Sequence, residues 1–169
     1  LVTVSDSNNV ASEGYTKVKK RMAERIGVDF EVKERADMAN WNADSTVDGI
    51  MIQLPYLDSR RLIQQIDVNK DVDGLRDDSK YLSATVKAIL EIMKEAGVKN
   101  GKEVVVIGNR GEVGGRLQRI LKCLGMDKED FDAEQVKMAN VIVSATGVGG
   151  LIKVDMVKEG VAIIDVGYP

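Results

Sequence analysis

The sequence contains no histidine, one cysteine and two prolines, and aromatic residues make up only 4% of it. Without histidine, a Ser-His-Asp triad, a histidine-ligated zinc site and an imidazole base are excluded. Proton transfer would have to use lysine, tyrosine, aspartate or glutamate. The single cysteine, Cys123, cannot form an internal disulfide, which favours a reducing, cytoplasmic location.

Long apolar runs and a strong charge imbalance are also missing. No run approaches the roughly 20 residues that span a bilayer. No charged region precedes an apolar stretch at the start, so no signal peptide is expected. The net charge is −3 and the pI about 5.2, which argues against a broad surface for nucleic acid or anionic membranes.

Short strand-like runs alternate with helical patterns along the chain. Strands are predicted at 1–4, 28–32, 48–54, 103–107, 141–145 and 161–166, and helices at 12–26, 59–66, 84–96, 117–124 and 133–138. On the first helix, Val18, Met22 and Ile26 form one apolar stripe. The pattern predicts an α/β protein with two domains, 1–98 and 99–169, the second a Rossmann-like, doubly wound parallel sheet.

The segment Asp48–Pro55, DGIMIQLP, is predicted to hold the central strand of the first domain. Its apolar run is typical of a strand covered on both faces. Gln53 is the polar residue within this run, and a buried amide without partners costs about 1–3 kcal/mol. Gln53 therefore either satisfies a neighbouring backbone group or lies at the carboxyl end of the strand, where open α/β sheets bind ligands.

The segment EVVVIGNRGEVGGRL is a strand, a glycine loop over Gly108–Gly115 and a helix. This order favours nucleotide binding over an ordinary strand-to-helix turn, although the G-x-x-G-x-x-G-G spacing is a variant. Arg110 either pairs with a phosphate, such as the 2′-phosphate of NADP, or is a solvated surface arginine. The acidic residue expected about 20 positions on is poorly placed, because Asp127, Glu129 and Asp130 lie in a predicted loop with no strand before them.

Tyr15 and Lys19 lie four residues apart and share one face of the first predicted helix. Because other basic residues surround Lys19, a solvated basic face is the ordinary explanation. The alternative is a lysine aimed into a cleft beneath Gln53 to shuttle a proton, with Tyr15 as an aromatic wall for a flat ligand.

The segment DVNKDVDGLRDD, residues 67–78, superficially resembles a calcium-binding EF-hand loop. Val72 stands where that loop needs glycine, and Asp78 stands where it needs glutamate, so no metal site is expected. The segment is either a solvated loop or one that turns an aspartate inward to hold the N–H groups of a ligand.

Together these motifs resemble the bifunctional methylenetetrahydrofolate dehydrogenase/methenyltetrahydrofolate cyclohydrolase family. SEGYTKVKKRMAERIGV is similar to the S-x-x-Y-x-x-x-K helix of that family, and VDGIMIQLPY to its D-G-[IL]-x-V-Q-L-P strand. NKDVDGL is similar to its K-D-V-D-G loop, and VVVIGNRGEVGGRL to its nucleotide loop. ANVIVSATG and GVAIIDVG match its last two strands, and the order and spacing agree over most of the chain.

The resemblance implies a folate-binding domain and an NAD(P)-binding domain with a cleft between them. The enzyme would oxidise 5,10-methylenetetrahydrofolate with NADP or NAD and hydrolyse the product to 10-formyltetrahydrofolate, as a homodimer in one-carbon metabolism. Lys19 would be the proton shuttle, Gln53 would tune it, Tyr15 would stack on the pterin, and Asp73, rather than Asp71, would hold the pterin's polar edge. The residues implied to line the cofactor are Gly108, Asn109, Arg110, Gly111, Gly114, Thr146, Gly147 and Tyr168.

The chain also departs from the family pattern. Asn109-Arg110 replaces Arg-Ser, which leaves NADP and NAD both open, and nothing between Gly125 and Val141 matches a strand ending in a Cys-His-Ser-like motif. The family extends beyond both ends of this sequence, so we expect a piece of a longer chain, and an intact mass near 18.5 kDa would rule that out. Two alternatives are another two-domain NAD(P)-dependent dehydrogenase, resembling shikimate dehydrogenase, and a non-catalytic nucleotide-binding module.

Overall fold

A computed structural model describes residues 1–98 and 101–167, and its contacts divide the chain into two units, Leu1–Ser83 and Ala84–Pro169. The sequence predicts a boundary at residue 98, which leaves the helix before it in the first domain. That helix spans Ala84–Glu95 and packs its apolar stripe against the second sheet, so it groups with the second unit. Periodicity identifies the stripe, but only the packing identifies its partner.

The first unit is a parallel three-stranded sheet with helices between its strands. Its strands have the order β2-β1-β3. The core consists of alternate strand residues packed against residues of the second and third helices and the segments beside them. The elements are β1 (Val2–Val4), α1 (Val10–Arg25), β2 (Glu31–Lys33), α2 (Met38–Ala43), β3 (Ile50–Ile52) and α3 (Ser59–Gln65).

The prediction that Asp48–Pro55 holds the central strand of this unit was wrong. β1 lies in the centre, and β3 pairs with it in parallel, with Val2 beside Ile50 and Val4 beside Ile52. The other side of β3 carries a single bridge, Ile50 to Asp71, which brings the aspartate-rich loop alongside the strand. Residues of one run cannot reveal which neighbour pairs on each side, because pairing depends on segments distant in sequence.

Helix α1 buries a face that is mostly polar. Ser12, Thr16 and Ala23 are at most 7% exposed, whereas the stripe of Val18, Met22 and Ile26 is 46–74% exposed. The buried residues follow the i, i+4, i+7, i+11 spacing of one helix face, and position 19 completes that series. The fold therefore turns Lys19 inward and leaves the apolar stripe in solvent.

The second unit is a parallel four-stranded sheet of order β5-β4-β6-β7. Alternate residues of β4 enter two cores, Val104 and Val106 on one face and Val105 and Ile107 on the other. Because both faces are covered, the strand is apolar throughout. The elements are α4 (Ala84–Glu95), β4 (Val104–Ile107), α5 (Glu112–Leu121), β5 (Leu124–Met126), α6 (Ala133–Met138), β6 (Val141–Ser144) and β7 (Ala162–Asp165).

Two sequence predictions around the glycine loop were wrong. The helix predicted at 117–124 begins earlier, at Glu112, and ends at Leu121. The chain then reverses at Lys122, whose φ is +51°, and forms the short strand β5. A three-residue strand with glycine at its centre carries almost no alternation signal, so its partner β4 rather than its own pattern defines it.

Candidate active site

Lys19 and Asp73 come together in the first unit. The Lys19 Nζ lies 3.7 Å from Asp73 Oδ2, and the two side chains are 33% and 23% exposed. Partial burial raises the pKa of Asp73, the positive charge of Lys19 lowers it, and the negative charge of Asp71 raises it again; the net direction is upward. An amine beside a carboxyl with raised proton affinity is suited to proton transfer.

Gln53 follows β3 directly and is 7% exposed. Its backbone N–H donates to the Val4 carbonyl at 2.9 Å, and its Nε2 donates to the Leu54 carbonyl, also at 2.9 Å. Its buried Oε1 has no hydrogen-bond partner within the described part of the chain. Because an unsatisfied buried oxygen is costly, Gln53 Oε1 is suited to accept a hydrogen bond from a substrate or a neighbouring cation.

Tyr15 lies one helical turn before Lys19 on α1, and it is 50% exposed. Residues four apart on a helix lie on the same side, so the ring and the amine border the same region of the first unit. The exposed ring has an apolar face of the kind on which a flat heterocycle stacks.

Asp71 shapes the loop that carries Asp73, a role that the sequence analysis missed. The Asp71 carboxylate is 1% exposed, and it accepts backbone N–H bonds from Gly74, Leu75 and Arg76 at 3.0–3.3 Å. Gly74 has φ +68°, and a Cβ there would lie 2.7 Å from the Tyr81 carbonyl oxygen. The D-x-x-G spacing was the available signal, since aspartate commonly accepts from N–H groups a few residues on.

In the second unit, Gly108 and Gly114 allow the end of β4 to approach its neighbours. Gly108 has φ +94°, and a Cβ there would lie 2.6 Å from the Ala145 carbonyl oxygen after β6. A Cβ on Gly114 would lie 2.2 Å from the Gly108 carbonyl oxygen, so this glycine seats α5 on the strand end. Gly111 is the N-cap of α5, and Gly114 lies within that helix rather than in the predicted loop.

This loop lies where the strand order reverses. β4 and β6 are adjacent, and their chain connections leave in opposite directions along the sheet, to β5 and to β7. Such a switch point, at the carboxyl ends of the strands, is where doubly wound sheets bind nucleotides. The bare backbone of the glycines at a helix N-terminus fits a pyrophosphate, which needs close approach and N–H donors.

Asn109 and Arg110 point to different partners. The Asn109 Nδ2 donates to Gln118 Oε1 at 3.2 Å, and its buried Oδ1 has no hydrogen-bond partner among residues 1–98 and 101–167. The Arg110 guanidinium is 62% exposed and lies 3.4–3.9 Å from three carboxylates. The three carboxylates belong to Asp127, Glu129 and Asp130.

Thr146 and Gly147 follow β6 at the same edge of the sheet. Gly147 has φ +66°, and a Cβ on Gly167, just after β7, would lie 2.6 Å from the Gly147 nitrogen. The hydroxyl of Thr146 accepts from the backbone N–H of Val148 at 3.2 Å. The structure thus gathers the glycine loop, Thr146 and Gly147 at the carboxyl edge of one sheet; Tyr168 lies outside the described residues.

Asp127 lies at the end of β5, a strand that was not predicted from the sequence. The Met126 carbonyl accepts hydrogen bonds from the backbone N–H groups of Gly108, at 2.8 Å, and Asn109, at 3.2 Å. Asp127 follows that carbonyl directly, so a strand does precede the acidic residues, contrary to the sequence prediction. The available signal was the distance in sequence, because Asp127 lies nineteen positions after Gly108.

No helix within the described ranges is long and apolar enough to cross a membrane. Those ranges also contain no group of three or more histidine, cysteine, aspartate or glutamate side chains arranged to hold a metal ion.

Two family models match the chain, one on each side of the division between the units. The model described as tetrahydrofolate dehydrogenase/cyclohydrolase, catalytic domain, matches residues 1–73. The model described as the NAD(P)-binding domain of the same enzymes matches residues 83–169. The second unit is accordingly an NAD(P)-binding domain.

Individual proteins agree with the family models. The bifunctional protein FolD of Staphylococcus aureus is 34% identical over 99% of this chain and 68% of its own length. The bifunctional FolD dehydrogenase/cyclohydrolase of Campylobacter jejuni has a crystal structure that matches with a TM-score of 0.83 at 27% identity, over 98% of this chain and 69% of that one.

Shikimate 5-dehydrogenase of Listeria monocytogenes shares the fold alone, with a TM-score of 0.54 and 16% identity over 99% of this chain and 77% of that one. The family models and the FolD proteins therefore decide between the two dehydrogenase assignments. The chain belongs to the tetrahydrofolate dehydrogenase/cyclohydrolase family.

Proposed function

We propose that this chain catalyses two successive reactions on one folate. It oxidises 5,10-methylenetetrahydrofolate to the 5,10-methenyl form with NAD(P), and it hydrolyses that product to 10-formyltetrahydrofolate. Both domain models of the family support this pair of activities. The observation that carries the site assignment is the Lys19–Asp73 pair at 3.7 Å, inside the part of the chain that matches the catalytic domain.

Lys19 is the proton shuttle of the hydrolysis. A water oxygen bonds to the positively charged one-carbon bridge, one carbon–nitrogen bond breaks, and the formyl product and one proton result. The attacking water must lose a proton and the departing ring nitrogen must gain one, and the Lys19 amine carries out this transfer. Its position on the buried face of α1 supports the role, since a solvated lysine would exchange its proton with bulk water.

Gln53, Tyr15 and Asp73 arrange the folate around this amine. The Oε1 of Gln53 accepts a hydrogen bond from Lys19 and limits its rotation, a role supported by the absence of another partner for that oxygen among the described residues. Tyr15 stacks on the pterin ring, and the Asp73 carboxylate accepts N–H bonds from the polar edge of the ring.

Bound NAD(P) would supply the acceptor for the hydride that leaves the methylene bridge. The chain's own contribution to this step is alignment. Gly108, Gly111 and Gly114 would present bare backbone to the pyrophosphate. The buried Oδ1 of Asn109, which has no hydrogen-bond partner among the described residues, would accept a hydrogen bond from the cofactor. Arg110, Thr146, Gly147 and Tyr168 complete the set of residues that we assign to this site.

Two further properties belong to the proposal. We assign a homodimer because the resemblance to the family implies one, and sedimentation velocity would measure it. We assign a cytoplasmic location because Cys123 is the single cysteine of the sequence, so no internal disulfide can form, and such a chain suits a reducing compartment.

Replacing Lys19 by alanine tests the mechanism. We expect K19A to abolish hydrolysis of the methenyl substrate, a loss of at least about 100-fold, while the affinity for NAD(P) stays within about twofold because that site lies in the other unit. Wild-type protein mixed with the methylene substrate and cofactor should produce the methenyl absorbance band, and its decay reports the hydrolysis.

Lys17→Ala is the matched control, since Lys17 lies on the same helix in an exposed pair with Glu13 at 2.7 Å. It should leave both reactions unchanged. An equal loss of hydrolysis and of cofactor binding in K19A would make Lys19 a structural residue and contradict the proposal.

A further inference from the structure

An aspartate is fixed at the end of β5, beside the glycine loop. Asp127 directly follows the Met126 carbonyl to which Gly108 and Asn109 donate. Its side chain is 14% exposed, and its Oδ1 accepts from the Lys128 N–H at 2.8 Å. The Asp127 N–H in turn donates to the Asp130 carboxylate, so the short turn that follows holds the aspartate at both its backbone and its side chain.

The charge around this position is negative. The carboxylates of Asp127, Glu129 and Asp130 surround Arg110, while Lys128 lies 3.9 Å from Glu129. Three negative charges thus face two positive charges. A 2′-phosphate, with nearly two negative charges at neutral pH, would be repelled here, whereas a ribose 2′-hydroxyl can donate to a carboxylate.

The position matches that of the ribose-binding acid in dinucleotide-binding sheets. In such sheets an aspartate or glutamate about 20 residues after the glycine motif accepts from the 2′-hydroxyl of NAD, and an arginine nearby accommodates the 2′-phosphate of NADP. Here the arginine is present, but three carboxylates already surround it. The arginine therefore offsets the negative charge of its neighbours more than it attracts a phosphate.

We propose that Asp127 makes this chain select NAD over NADP, by accepting a hydrogen bond from the adenosine ribose and repelling a 2′-phosphate. Arg110 is then a counter-ion that keeps the acidic turn folded. This inference rests on the proposed function of the second unit as the cofactor site, and it assigns the choice between the two cofactors that the sequence left open.

Calorimetric titration with NAD+ and with NADP+ tests the inference on the intact chain. We expect the wild type to bind NAD+ at least about tenfold more tightly than NADP+, in line with one charge-assisted hydrogen bond. Asp127→Ser should remove most of this preference, because it lowers the affinity for NAD+ and raises the affinity for NADP+. Asp127→Asn keeps an oxygen for the Lys128 N–H, so it should stay folded while binding NADP+ more tightly than the wild type does.

Two control variants separate position from charge. Glu129→Gln removes one charge from the same turn but leaves Asp127 at the end of β5. It should therefore change the preference for NAD+ over NADP+ less than Asp127→Asn does. Asp155 is an exposed aspartate elsewhere in the same unit, and Asp155→Ser should leave the preference for NAD+ unchanged. Equal changes in Asp127→Asn, Glu129→Gln and Asp155→Ser would mean that net charge, rather than Asp127, sets the preference, and would overturn the inference.

Turnover assays with each cofactor distinguish this inference from the proposed function. Preferential NAD+ binding without any oxidation of the methylene substrate would refute the dehydrogenase and leave the role of Asp127 intact. Tighter binding of NADP+ than of NAD+ by the wild type, with turnover, would overturn the role of Asp127 and leave the dehydrogenase intact. Binding of neither cofactor would overturn both.

Discussion

The Asp73 carboxyl interacts with one positive and one negative side chain, those of Lys19 and Asp71. Burial has the largest effect and raises its pKa, Lys19 lowers it, and Asp71 raises it. Because the pKa in the folded state exceeds the ordinary value of about 3.9, protonated Asp73 stabilises the fold. That contribution is complete below the unfolded pKa and is lost as the pH rises through the folded pKa.

Lys19→Met should raise the pKa of Asp73 further, because it removes a neighbouring positive charge that lowers this pKa while leaving burial and Asp71 in place. Carbon-13 NMR titration of the aspartate carboxyls would measure the change. Lys17→Met should leave the Asp73 titration where it is in the wild type. An Asp73 pKa that is the same in K19M as in the wild type would show that the two side chains do not interact in solution.

At the scale of one element, the loop of residues 67–78 depends on a single buried carboxylate. Asp71 accepts three backbone N–H bonds and thereby fixes the turn that ends at Arg76. The Arg76 side chain then donates to the Gln64 and Ile66 carbonyls at the end of α3. The position of Asp73 opposite Lys19 is therefore a consequence of Asp71, two residues earlier.

Asp71→Ala should destabilise the first unit by about 2–4 kcal/mol, because it leaves buried N–H groups without an acceptor. Urea unfolding followed by the fluorescence of Trp41, the single tryptophan, reports on this unit. Asp48→Ala removes an exposed aspartate just before β3 and should cost less than about 0.5 kcal/mol. A comparably small loss in D71A would contradict the structural role assigned to this carboxylate.

At the scale of the whole molecule, each unit has its own sheet and its own core. The proposed folate residues all lie in the first unit and the proposed cofactor residues in the second. A ligand that binds the native state suppresses local opening most strongly where it makes contacts. The two ligands should therefore slow amide hydrogen exchange in different segments of the chain.

NAD+ should slow hydrogen exchange after β4 and β6, at residues 108–111 and 146–147, because it covers the carboxyl edge of that sheet. A folate analogue should instead slow exchange in the loop 67–78 of the first unit. Mass spectrometry of peptic fragments would measure both, with α6 as a segment that neither ligand should protect. If NAD+, added without the folate analogue, slowed exchange in the loop 67–78, the assignment of the two ligands to separate units would be contradicted.

Most of the order of elements could be predicted from the sequence, because periodicity and glycine positions are local properties. The helix starting at Ala84, the strand ending at Ile107 and the helix Ala133–Met138 needed only their own residues. The motifs around Lys19 and Gly108 also identified the family without coordinates. The matches to the two family models confirm that resemblance.

The tertiary structure decided what each element faces. It turned the polar side of α1 inward, placed β1 rather than β3 in the centre, and made a strand of Leu124–Met126. It also set Asp73 beside Lys19 and Asp127 beside the glycine loop. The reason is physical: a local pattern fixes the backbone geometry of a segment, but burial and strand pairing join segments far apart in sequence, and their free energy is not a property of either segment alone.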